Sequence, residues 1–127
     1  MANKILADLG LSPLNKFLLV YWFSLGFIVL DQTSYIIDAP ATLAEFGSVT
    51  AAVDVVAAAL VLYGAYLLYN KQKRGALIAI AVNVAAVASW VFLVQPGEIP
   101  PVAVAIYLGT FIVMVAGPVL LFPDEYS

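Results

Sequence analysis

Four long apolar stretches run along the chain, at about residues 14–37, 47–69, 76–94 and 102–122. Short polar or proline-bearing segments separate them. Each stretch is near the roughly 20 residues that an α-helix needs to cross a bilayer core. The apolar runs are continuous. Barrel strands would instead alternate and span about ten residues each. A helix also satisfies its own backbone groups, which lipid requires. The pattern therefore predicts an all-α integral membrane protein: a single domain over residues 1–127, with four transmembrane helices in an up-down-up-down bundle.

Polar punctuation refines the boundaries. Ile5, Leu6, Leu9 and Leu11 alternate with Asn3, Lys4 and Asp8, which predicts a short N-terminal amphipathic segment at the membrane surface, over Met1 to Pro13. No small-residue cleavage site follows the first span, so this region is expected to be retained. Asp31-Gln32-Thr33-Ser34 interrupts the first span, whose helix ends either near Leu30 or near Ile37. Asp38-Ala39-Pro40 reads as a turn and helix start, since Asp can cap and Pro suits a first turn. The second span begins near Gly47, or as early as Pro40 with Glu45 in its exposed first turns. Residues 70–75 form a tight basic loop, and Pro96, Pro100 and Pro101 make the next loop one that no helix can cross. Pro118 is expected to kink or end the fourth span locally.

Composition then limits the chemistry. Residues are 65% hydrophobic and 10% charged, against about a quarter charged in soluble domains, so the solvent must be largely lipid. With no Cys, thiolate metal sites, disulfides and Cys nucleophiles are excluded. The chain also lacks His, the commonest metal ligand and general base. No catalytic, cofactor-binding or metal-binding residue is assigned, and no cofactor is expected. An enzyme acting on lipid would be left with a metal-bearing carboxylate pair. The net charge of −3 argues against nucleic acid as a partner. Membrane lipids and other integral membrane subunits are the expected partners.

Charge also predicts orientation. Lys4 and Lys16 precede the first span, and Lys71, Lys73 and Arg74 join the second to the third. By the positive-inside rule these positions are cytoplasmic, as are both termini. Tyr66, Tyr69 and Tyr126 would then lie near the inner interface, and Tyr35 and Trp90 toward the outer one.

Asp54 is the most informative residue. It lies within Ala51-Ala52-Val53-Asp54-Val55-Val56, about 10 Å into a helix that starts near Gly47. A charge there costs roughly 2.5–3.5 kcal/mol on insertion scales, so it should be partnered, protonated or facing a polar cavity. Asp31 falls at a comparable depth on the neighbouring helix. Ser24, Asp31, Ser34 and Asp38 share one helical face. The functional alternative is a paired-carboxylate site for a cation or proton, in which the two groups share a proton. In the plainer alternative the first span ends near Leu30, Asp31 is interfacial, and Asp54 bonds a Ser, Thr or Tyr of a neighbouring helix or of another protein. Asn83, in mid-span, suits interhelical hydrogen bonding. Gly64, Ala105, Gly109 and Gly117 are candidate close-approach positions between helices. Tyr63, Tyr66 and Tyr69 read as a lipid-interface belt.

Two functions remain. One is a non-catalytic accessory subunit of a larger membrane complex, for example a respiratory or other oxidoreductase assembly. The other is a small homo-oligomeric transporter or channel that uses Asp31 and Asp54 as a cation or proton site.

Overall fold

The structure, a computed structural model, describes residues 13–127. Most of the expected amphipathic segment, with Lys4 and Asp8, lies outside the described residues. The elements are α1 (Pro13–Ile37), α2 (Ala39–Phe46), α3 (Ser48–Tyr69), α4 (Arg74–Ser89), a π-helical turn (Trp90–Val94), α5 (Pro101–Leu121) and a 3-10 turn (Pro123–Glu125). Four helical stretches are long and apolar enough to cross a membrane: Asn15–Ile37, Ser48–Tyr69, Arg74–Val94 and Pro101–Leu121. Among the described residues there is no strand.

The first polar interruption does not end a helix. α1 continues through Asp31 to Ile37, so its 25 residues extend about 37 Å. The true break comes later, at Gly47. Its φ of +92° is disfavoured for residues with a side chain, and it separates the short, exposed α2 from α3. Asp38 occupies the position before α2 but makes no side-chain cap; its carbonyl accepts from the Thr42 amide at 3.0 Å. α3 ends in a two-bond cap. The Gln72 amide reaches the Leu67 carbonyl, and the Lys71 amide reaches the Leu68 carbonyl, both at 2.9 Å. This is the Schellman arrangement, with Lys71 at φ +60° in the left-handed position that glycine usually takes. At Pro118, α5 does not end. It runs on to Leu121, where the Phe122 amide closes on the Pro118 carbonyl at 2.9 Å.

α1 lies against α3 and α5, and α4 against the same two helices. On α1 the buried positions are Phe17, Tyr21, Ser24, Leu25, Ile28 and Gln32, one face at three- and four-residue steps. On α3 they follow the same rhythm: Ala51, Asp54, Ala58, Val61, Ala65 and Leu68. α4 contributes only small groups and Asn83: Gly75, Ala76 and Ala79. These small residues bring α3 and α4 together. A Cβ on Gly64 would stand 2.8 Å from the Gly75 carbonyl oxygen, so this pair sets the closest backbone approach.

The core divides into two halves. Near the α3–α4 turn it is aromatic. The Phe17 ring packs on Tyr21, Phe122 and Tyr126 at 5.3, 5.5 and 5.9 Å between centroids. The Tyr21 hydroxyl donates to the Tyr69 carbonyl at 2.6 Å. The tail seals this end: the Ser127 amide donates to the Lys71 carbonyl, and the Lys73 amide to the Ser127 carbonyl. Tyr126 is thus half-buried against the core. Burial chiefly, with Tyr21 and Glu125 adding to it, pushes its hydroxyl up to about 12. Lys71 Nζ lies 5.6 Å from the Phe17 ring, so Lys16, Lys71, Lys73 and Arg74 gather at this one end. The other half of the core is polar.

Candidate intramembrane polar site

Each of the four long helices sends at least one polar side chain into this second half, and backbone position explains why. Asp31 lies six residues before the end of α1, and Asp54 six after the start of α3. Asn83 follows Ala76 and Ala79 on the buried stripe of α4. Tyr107 sits one turn before Phe111 on α5. The π-helical turn begins at Trp90, where the ladder widens and the Gln95 amide reaches back to the Trp90 carbonyl at 2.9 Å. Such turns recur at functional sites.

Tyr107 is the hub. Its hydroxyl donates to Asp31 Oδ2 at 2.7 Å and accepts from Asn83 Nδ2 and from the Tyr35 hydroxyl, both at 3.2 Å. Gln32 Nε2 donates to the same Asp31 oxygen at 2.9 Å. Asp54 has a separate donor: Trp90 Nε1 at 2.7 Å. Phe46 of α2 packs edge-on against that indole at 4.9 Å. A cavity of about 30 Å³ lies between the two carboxylate systems, and Gln32, Tyr35, Asp54, Asn83 and Trp90 line it. Gln32, Asn83 and Asp54 are 2, 3 and 7% exposed.

The sequence placed Asp31, Asp54 and Asn83 as site residues, and all three belong to this cluster. Each carboxylate takes its own donors, and no hydrogen bond joins Asp31 to Asp54 among the described residues. The proposed polar face of α1 comes apart. Ser24 is buried and donates to the Met114 carbonyl at 2.6 Å, whereas Ser34 bonds back to the Asp31 carbonyl and is exposed with Asp38. Tyr35 and Trp90, read as outer-interface aromatics, are half-buried and turned inward by these bonds. Gln32, Tyr35, Trp90 and Tyr107 are the members that sequence reasoning missed. Tyr107 carried a usable signal, being a polar position inside otherwise apolar helix, whereas Gln32 lay within the polar run 31–34.

Of the helix-packing positions, Gly64 meets its neighbour as described. Gly109 and Gly117 do not: among the described residues, nothing beyond the helix's own neighbouring backbone comes within 4 Å of a Cβ built on either. Ala105 and Gly109 are exposed. The α5 helix instead seats its large residues Phe111 and Val115 inward, which turns the small ones away. Tyr63, Tyr66 and Tyr69 are exposed together, as a belt would be. Among the described residues no three acidic side chains come together to hold a metal ion. No family model, no curated protein and no solved structure matches the chain.

Proposed function

We propose that the chain crosses the cell membrane four times, up-down-up-down, with both termini cytoplasmic, as a non-catalytic accessory subunit of a larger membrane complex. A respiratory or other oxidoreductase assembly is one such complex. The observation that carries this reading is the outward placement of Ala105 and Gly109 on α5. In lipid, helices associate through close backbone approach at small residues, and among the described residues no other helix uses that surface. Gathering of the described basic residues at the α3–α4 end supports a cytoplasmic location for that end. Extraction in mild detergent, native electrophoresis and mass spectrometry test the reading. Co-migration with larger subunits is the expected result; migration as a lone small oligomer would overturn it.

A second reading has its own observation. The cavity between buried Asp54 and the Asp31–Tyr107 system favours a small homo-oligomeric transporter or channel that uses the two aspartates as a proton or cation site. In that case Asp54→Asn abolishes flux in vesicles and leaves the fold intact. Undiminished flux in the variant would remove this reading.

A further inference from the structure

We infer that Asp31 and Asp54 share one exchangeable proton through a relay made of the Tyr107 and Tyr35 hydroxyls and water held in the cavity. The inference deepens the second reading and rests on its polar site.

The cavity is built for water. Its 30 Å³ holds about two molecules, at roughly 10–15 Å³ for each by the same measure. A buried water needs about two to four polar partners; Gln32, Tyr35, Asp54 and Asn83 supply them. One Asp54 oxygen is taken by Trp90, and among the described residues no hydrogen bond reaches the other. On the far side the hydroxyls already point in series: Tyr35 donates to Tyr107, and Tyr107 donates to Asp31 Oδ2. Tyr35 lines the cavity, so water there completes the path from Asp54.

Transfer balances along this path. Protonated Asp54 gives its proton to the water, and the water gives one to the Tyr35 oxygen. Tyr35 passes its own to Tyr107, and Tyr107 passes its own to the Asp31 carboxylate. One O–H bond breaks at Asp54 and one forms at Asp31. Each relay group ends neutral with its hydrogen bond reversed, and return follows the same route.

Titratable groups facing the path are Asp31 and Tyr35 from α1, Asp54 from α3 and Tyr107 from α5. The π-helical turn and α4 contribute neutral Trp90 and Asn83, and α2 contributes Phe46. The described basic side chains sit at the opposite end. Lys16 precedes Asp31 by 15 residues on the same helix (31 − 16), about 22 Å. With no basic side chain nearby among the described residues, a proton is the group that relieves the pair.

Infrared difference spectroscopy of the purified protein in lipid nanodiscs, in H₂O and D₂O, tests the relay. A shared proton gives a buried carboxyl C=O band at neutral pH that both Asp31→Asn and Asp54→Asn displace. In Tyr107→Phe and Tyr35→Phe, a carboxyl band remains but responds to only one of the two Asn substitutions. A band displaced by one Asn variant alone, no band at all, or coupling that survives the Phe substitutions would overturn the inference. The Asn variants decide the sharing on their own if a Phe variant does not fold. Proton flux into vesicles reads transport separately. A shared band without flux overturns the transport reading and leaves the relay; flux with an unshared band does the reverse.

Discussion

The Trp90 indole donates to the Asp54 carboxylate at 2.7 Å across 36 residues of chain. This bond ties the π-helical turn after α4 to the first turns of α3. It also occupies one oxygen of a carboxylate that is 7% exposed. Replacing Trp90 by Phe keeps the ring but removes the donor, leaving that oxygen unsatisfied. Such a loss costs about 1–3 kcal/mol. The expected outcome is destabilisation of that order in chemical unfolding from detergent micelles. Removing both partners in Trp90→Phe with Asp54→Leu should restore most of it, because an apolar pair leaves nothing unpaired.

Tyr107 and Tyr35 should differ in weight. The Tyr107 hydroxyl meets Asp31, Asn83 and Tyr35, whereas among the described residues that of Tyr35 meets Tyr107 alone. Interhelical hydrogen bonds in membranes average about 0.6 kcal/mol. Tyr107→Phe should therefore cost roughly 1–2 kcal/mol and Tyr35→Phe about a third of that. Equal costs in parallel unfolding experiments would show that the hydroxyls do not act as hub and spoke.

The αL residue in the α3–α4 turn gives a prediction of opposite sign. Lys71 holds φ +60° in a cap that glycine favours, at a strain of about 1–2 kcal/mol for a residue with a Cβ. Lys71→Gly relieves it but gives up the ammonium over Phe17, worth about 0.5–1 kcal/mol at an exposed site. The net expectation is a small gain in stability, and Lys71→Ala, which keeps the strain, should lose stability. Thermal unfolding in one detergent orders the three proteins.

High pH should loosen the tail. The Tyr126 hydroxyl titrates near 12 in the fold, against 10.0 when free. A raised folded value means that the docked, neutral form is fully favoured below 10 and loses its advantage as pH climbs through 12. Tyrosinate absorbance, taken as the difference between the protein and its Tyr126→Phe variant, should rise later than that of a free tyrosine. Absorbance from Tyr126 that rises at the free value would show that the ring is not packed against Phe17.

The four helices long and apolar enough to cross a membrane were legible because a continuous apolar run is written in nearly every residue of such a helix. Asp31, Asp54 and Asn83 stood out for the same reason, as polar side chains where polarity is costly. Their pairing was not legible. It depends on helix rotation, and in α1 Ser24 and Gln32 face inward while Ser34 and Asp38, on the polar stripe drawn through Ser24, face out. Trp90 and Tyr35 have a ready explanation at an interface, which concealed their inward hydrogen bonds. The start of the second span near Gly47 was legible, whereas the separate short helix Ala39–Phe46 before it depends on the positive φ at Gly47, which the sequence does not show.

Gly64 and Gly109 separate packing within the chain from packing against a partner. At Gly64 an added methyl would stand 2.8 Å from the Gly75 carbonyl oxygen and 3.1 Å from the Ala79 Cβ. Backbone on one side and a stiff small residue on the other leave little to yield. Overpacking of this kind costs about 1–3 kcal/mol, so Gly64→Ala should unfold earlier in detergent. At Gly109, among the described residues, nothing beyond the helix's own neighbouring backbone lies within 4 Å of the added methyl. An exposed helical Gly→Ala change there should stabilise the isolated chain by about 0.5–1 kcal/mol. If α5 packs against another subunit through Ala105 and Gly109, a larger Gly109→Leu substitution should leave the isolated chain folded yet release it from its complex on native gels. Retained co-migration of Gly109→Leu would move the contact surface away from this face of α5.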